Sequence, residues 1–277
     1  MTYSLFNNIL VFFFCSLLFQ SDQEASLKPA TLHAVIAADT LTNLKGPSKY
    51  DISRMRTEFQ QIAKETKLQL NIQELQDRSL SRKSILGWLK NTKIQTNDVV
   101  IFYFTGHGFR TEHSESLWPM LFLAPSRELF DSTRIIQALQ KSPQRLCIIL
   151  YDCCNNPSRK SMVLVPKNLL QLPKRYISVN SGYRKLFLEN SGICIASGSV
   201  PGEVSWATPK GGIFTSAFLE SLKMETEEEF PSWDSLFDRA EKTCSFIQQP
   251  QYVLKLKNKP IVRQKNHSKD VALYFNR

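Results

Sequence analysis

The sequence has no apolar run of the roughly 20 residues that crossing a bilayer requires, no Cys/His cluster with zinc-ligand spacing and no internal repeat. Acidic residues are in short supply, with 25 Asp and Glu against 35 Lys and Arg and a net charge of +10. Each shortage excludes something. The apolar run ILVFFFCSLLF at residues 9–19 is too short for a comfortable span and is followed by polar Gln20-Ser21-Asp22-Gln23-Glu24. Residues 1–25 therefore read as a cleaved export signal or, alternatively, an uncleaved N-terminal anchor. No Lys or Arg precedes the run, the one small-residue cleavage site is the loose Glu24-Ala25-Ser26, and Cys15 lacks the small residues of a lipoprotein site.

Five cysteines follow that segment, and an odd number in an exported chain excludes a disulfide scaffold. Cys147, Cys194 and Cys244 lie in apolar patterns and read as core fillers. The positive charge concentrates near the C-terminus, where Lys255, Lys257, Lys259, Arg263, Lys265, Lys269 and Arg277 face Asp270 alone. Aromatic residues are not interleaved with these charges as base stacking would require, so no nucleic-acid partner is expected. Leu254-Lys255-Leu256-Lys257 alternates with period two, as does an edge strand that uses Lys to block pairing. Residues 251–277 thus read as a basic edge strand and tail. No acidic cluster marks a calcium site, and no cofactor is expected.

What is present is a pair of segments with one build. Residues 98–104 (DVVIFYF) run into Thr105-Gly106-His107-Gly108, and residues 145–151 (RLCIILY) run into Asp152-Cys153-Cys154. Apolar runs without alternation are strands of a parallel sheet covered on both faces, and such sheets place their chemistry beyond the strand C-termini. A histidine and a cysteine would then lie side by side. The chain, at 277 residues, fits one domain of about 250 residues.

Residues 32–39 (LHAVIAAD) predict the first buried strand and residues 68–72 a second, shorter one. Ile52, Met55, Phe59, Ile62 and Ala63 recur at helical spacing, which predicts an amphipathic helix over residues 51–66. Ile85, Trp88 and Leu89 mark a second helix, and residues 117–124 another extended piece. Ser132 is placed to cap a helix carrying Ile135, Ile136 and Leu139. Residues 155–190 show no clean periodicity and read as a long exposed loop. Residues 192–197 (GICIAS) restore a buried strand; two helices follow, at residues 213–222 and around Trp233, Leu236, Phe237, Ala240 and Cys244, with an acidic turn at residues 225–229 between them. Alternating strands and helices make an α/β layered fold.

A cysteine thiol is only a few per cent thiolate at neutral pH, and an imidazole that accepts its proton raises its reactivity. Cys154 has that partner if His107 is adjacent. Gly106 and Gly108 let backbone N–H groups approach a substrate, where they can hold the oxyanion of an acyl-transfer intermediate. His33, His113 and His267 lack this setting.

The strand and turn Phe102-Tyr103-Phe104-Thr105-Gly106-His107-Gly108 resembles that of caspase-like cysteine peptidases, and Tyr151-Asp152-Cys153-Cys154 resembles their cysteine strand, closer to metacaspases than to animal caspases. The stretch from Ala196 through Gly202-Glu203-Val204-Ser205-Trp206 to Gly211-Gly212-Ile213-Phe214-Thr215 is similar to the substrate-pocket strand and following helix of bacterial caspase-like proteins. The resemblance implies a three-layer α/β/α sandwich with a mostly parallel central sheet, as a peptidase domain over residues 30–250. It implies Cys154 as nucleophile, His107 as general base and the Gly108 and Cys154 N–H groups as the oxyanion hole. It also implies Asp152 in the pocket for the side chain before the cut bond, hence cleavage after Arg or Lys, with Ser197 and Glu203 as further substrate-binding residues. Two departures stand out. Asn155-Asn156-Pro157 replaces the His-Ser-Gly usual in metacaspases, and Glu203 is the only candidate for their second pocket acid.

The leading expectation is an exported endopeptidase, periplasmic or secreted, acting on proteins or peptides and meeting a membrane only if the N-terminal segment is uncleaved. The alternatives are a catalytically inactive binding or scaffold protein of the same fold, and a redox or metal-sensing pair at Cys153-Cys154. Adjacent cysteines bridge only with strain, since their side chains point to opposite faces of a strand.

Overall fold

The computed structural model describes residues 29–157 and 181–257. The N-terminal stretch read as an export signal or anchor, the basic residues from Arg159 to Arg175, His267 and the tail beyond residue 257 lie outside the described residues. The first half of the chain runs β1 (Thr31–Ala38), α1 (Lys45–Thr66), β2 (Gln69–Leu75), α2 (Arg82–Asn91) and β3 (Val99–Thr105). A small antiparallel sheet follows, β4 (Gly108–Phe109), β5 (Met120–Leu123) and β6 (Glu128–Asp131), then α3 (Thr133–Gln140) and β7 (Leu146–Asp152). The second half contains α4 (Ser181–Leu188), β8 (Gly192–Ser197), the two-residue strands β9 (Ala207–Thr208) and β10 (Gly211–Gly212), α5 (Ile213–Glu227), α6 (Trp233–Cys244) and β11 (Gln251–Leu256).

The central sheet has the order β2-β1-β3-β7-β8-β11, parallel throughout except for β11, which pairs antiparallel with β8. Its strands lack alternation because helices cover both faces. Ile101, Tyr103, Ile148 and Leu150 pack under α1, α4, α5 and α6, while Val100, Phe102, Cys147 and Ile149 pack under α2 and α3. Each side chain of this kind contributes about 1.5–3 kcal/mol on burial. The result is the expected α/β/α sandwich.

Several details differ from the sequence reading. Within the stretch read as a loop, Tyr183, Leu186 and Phe187 sit on the short helix α4 and bury against the first layer; eight residues give too few turns for the periodicity to stand out. α1 starts at Lys45, six residues early, with Pro47 in its first turn where a missing N–H costs nothing. Ser132 precedes α3 but makes no side-chain cap; Asp131 Oδ1 instead accepts from the Thr133 N–H at 2.9 Å. Glu225 and Glu227 belong to α5 rather than to a turn, and Glu225 is buried because it accepts from Ser232 N at 2.8 Å and pairs with Arg239 at 3.3 Å. β11 is an edge strand, as the Lys alternation suggests, yet only Lys255 of its six residues is not buried, since α6 covers one of its faces.

Candidate active site

β1, β3 and β7 end together at one edge of the sheet. Thr105 lies opposite Asp152 across β3 and β7, Gly106 N donates to Asp152 O at 3.2 Å, and Asp39 N donates to Thr105 O at 2.9 Å. The Gly-His-Gly turn is squeezed between those ends. A Cβ on Gly106 would come within 2.7 Å of Asp39 Cβ, and one on Gly108 would overlap the Cys154 carbonyl and the Cys153 side chain. Glycine at both positions brings His107 between the end of β1 and the Cys153-Cys154 turn.

His107 is 7 % exposed. Its Nε2 lies 2.9 Å from Asn43 Oδ1, on the loop between β1 and α1, and its ring meets Phe122 of β5 edge-on. Burial lowers its pKa below the usual 6.5, and the Asp39 carboxylate pulls the other way. The imidazole is therefore neutral at pH 7, the form that can accept a proton.

Cys154 is 1 % exposed and packs with Leu44 and Ala207. Its Sγ accepts from Ser205 N at 3.4 Å and lies 3.6 Å from Ser205 O. Burial pushes the thiol up to about 11, with the Asp152 charge acting in the same direction and the Ser205 N–H against it. Left alone, this sulfur is a thiol at neutral pH. Cys153 points the other way, into the apolar layer under α2 and α3, and both carry free thiols.

Asp152 is fully buried. Its Oδ1 accepts from Ser205 Oγ at 2.8 Å, and its Oδ2 from Thr215 N and Oγ1 at 2.8 and 2.6 Å. Burial raises its pKa, opposed by these donors. A second carboxylate lies beside it, contributed by Asp51 of α1. Asp51 Oδ2 accepts from Gly212 N at 2.9 Å and Thr105 Oγ1 at 3.2 Å, and Oδ1 meets Arg54 Nη2 at 2.5 Å. Burial pushes Asp51 up to about 7 despite Arg54, and the Asp152 charge adds to the rise.

Glu203, the residue considered for a second acid, is instead exposed on the loop after β8. Its backbone carbonyl accepts from Asn155 N at 3.0 Å, while Asn155 O accepts from Gly202 N at 2.7 Å and Asn155 Nδ2 donates to Leu117 O at 2.8 Å. Asn155, part of the departure from the metacaspase pattern, thus ties the Cys153-Cys154 turn to two neighbouring loops. Ser197 ends β8 beside Tyr151, and its buried Oγ has no hydrogen-bond partner.

Sequence reasoning missed Asn43, Asp51 and Arg54. Asn43 sits in a polar turn that looks solvated. Asp51 left a signal: it falls on the buried stripe of α1 with Ser48, Ile52 and Met55, where an acid needs a partner. The fold agrees with the comparisons. A family model described as the caspase domain matches residues 34–271. A protein of Geobacter sulfurreducens has a similar structure (TM-score 0.53, 14% identity, covering 79% of this chain and 92% of that one). So does caspase-1 from Spodoptera frugiperda (TM-score 0.50, 13% identity, covering 86% and 89%). No curated protein sequence matches significantly. The chain belongs to the caspase-domain family and is caspase-like in fold, which at family level means a cysteine peptidase acting on proteins.

Proposed function

We propose that this protein is a cysteine endopeptidase that uses a Cys154–His107 dyad and cleaves after Arg or Lys. The observation that carries the reading is the convergence of the β3 and β7 ends, with Gly108 pressed against Cys154 and a neutral, buried His107 between Gly106 and Gly108. In this mechanism His107 removes the Cys154 proton and the sulfur attacks the substrate carbonyl. The N–H groups of Gly108 and Cys154 hold the oxyanion, His107 returns the proton to the leaving amine, and water then releases the acyl group.

Asp152 and Asp51 lie buried beneath the site and in their ionised forms favour a cationic side chain before the cut bond, although burial raises both pKa values and Arg54 already pairs with Asp51. Ser197, at the end of β8 beside Tyr151, is proposed as a further pocket residue, and exposed Glu203 is available to a cation elsewhere on the substrate. Export of the chain, or anchoring through residues 1–25, belongs to the same proposal, and the enzyme works without a cofactor.

A second reading, a catalytically silent scaffold, draws on one observation: the resting Cys154 sulfur is covered by the Val204 to Ala207 segment and holds its proton tightly. An alkylating thiol probe separates the two. The peptidase reading expects Cys154 to be alkylated much faster than Cys153, with the rate falling in His107→Ala. Equally slow labelling of both cysteines, unaffected by His107→Ala, supports the scaffold.

A further inference from the structure

We propose that Asn43 is the positioning residue for His107: its side-chain oxygen holds the imidazole as the Nε2–H tautomer and leaves Nδ1 to exchange the proton with Cys154. The inference rests on the peptidase reading for its catalytic consequence, but the tautomer itself does not. An amide oxygen only accepts, so at 2.9 Å the ring nitrogen facing it carries the hydrogen. A neutral imidazole has one N–H, and Nδ1 is left with its lone pair.

Asn43 is suited to the task because its loop is braced on both sides. Asp39 Oδ1 accepts from the N–H groups of Leu41 and Thr42 at 3.2 and 3.3 Å, and Asp39 Oδ2 accepts from Thr42 Oγ1 at 2.8 Å. Thr42 Oγ1 in turn accepts from Leu44 N at 3.3 Å, and Thr40 Oγ1 donates to Asp77 Oδ1 at 2.8 Å. Leu44, the next residue, packs against Cys154. One short loop therefore contacts both His107 and Cys154.

The chemistry balances with Asn43 as a spectator that keeps its hydrogen bond throughout. The Cys154 proton moves to Nδ1, giving an imidazolium with Nε2–H still on Asn43. The sulfur electron pair forms the S–C bond, and Nδ1–H then passes to the leaving amine nitrogen. A neutral amide does not raise the basicity of the ring as a carboxylate would. The charged group beside His107 is Asp39, at the end of β1, and burial outweighs it.

The test uses the full chain with nitrogen-15 in the histidine rings, the His107 signals being assigned by their loss in His107→Ala. At pH 7.5 the wild type should show a protonated Nε2 and a bare Nδ1, and Asn43→Ala should show a mixture of tautomers. Steady-state hydrolysis by Asn43→Ala should fall about tenfold to a hundredfold in kcat, with KM nearly unchanged. Asn43→Asp, which keeps an acceptor, should restore the single tautomer and move the acid limb of the pH profile upward. Asn43 is exposed, so Asn43→Ala should melt like the wild type, which separates positioning from folding. A wild-type Nδ1–H tautomer, or unchanged tautomer and kcat in Asn43→Ala, overturns the inference while leaving the peptidase reading standing. If the wild type hydrolyses nothing, the peptidase reading falls and the ring nitrogens alone decide the tautomer.

Discussion

At the residue scale, Cys153 and Cys154 are neighbours with opposite surroundings. Cys154 meets Ser205 and lies at the turn against Gly108, whereas Cys153 is enclosed by the apolar layer under α2 and α3. Cys154→Ala and His107→Ala should each remove peptide hydrolysis while melting within a few degrees of the wild type. Cys153→Ser should keep most of the activity but lose stability by about 1–3 kcal/mol, because it buries a hydroxyl in an apolar site. Kinetic assays beside thermal melts check both, and an inactive Cys153→Ser with an active Cys154→Ala would reverse the assignment. The thiol at about 11 adds a pH test. In His107→Ala, alkylation of Cys154 should climb about tenfold per pH unit from 7 to 10, since the thiolate is then the only reactive form; in the wild type it should level off earlier.

At the scale of elements, the strands were legible and the groups around them less so. β3 and β7 announce themselves because both faces are buried and no polar residue interrupts the run, and their ends carry His107 and Cys154. The helix α1 was readable from Met55 and Phe59, but its role in supplying Asp51 was not, since only the placement of β1 beside β3 brings Asp51 to Thr105 at the end of β3. Asn43 was hidden for the same reason: its partner lies 64 residues away. The helix α4 escaped notice because it offers only two turns of pattern. The turn between β3 and β4 leaves little room for a side chain. Gly108→Ala should destabilise the fold by more than 2 kcal/mol on the usual scale of core overpacking, because its Cβ meets the backbone carbonyl of Cys154 rather than a movable side chain. Chemical denaturation of that variant beside Gly202→Ala measures this. Gly202 faces open space, although its φ of 93° carries a strain of its own, so Gly108→Ala should be the more destabilised of the two.

For the molecule as a whole, the two carboxylates under the site couple folding to pH. Asp51 keeps its proton in the folded chain up to about 7, against 3.8 for an ordinary aspartate, so between those values the folded state binds more protons than the unfolded one. Stability from this group is full below about pH 4, declines as pH rises and is gone above about pH 7. At about 1.4 kcal/mol per pKa unit the effect is on the order of a few kcal/mol. Asp51→Asn removes it, so wild-type stability relative to this variant should fall from pH 4.5 to pH 8, as read from denaturant midpoints; parallel curves would count against the buried pair. The central claim, a Cys154 nucleophile serving a pocket for cations, is tested most directly by intact-mass analysis. The protein is exposed to two peptidyl reagents with a thiol-reactive group, one ending in Arg and one in Asp, beside Cys154→Ala. The expected result is a single adduct on Cys154 from the Arg reagent, formed much faster than from the Asp reagent and absent in Cys154→Ala. Equal or faster reaction with the Asp reagent, an adduct that persists in Cys154→Ala, or no adduct at all would contradict it.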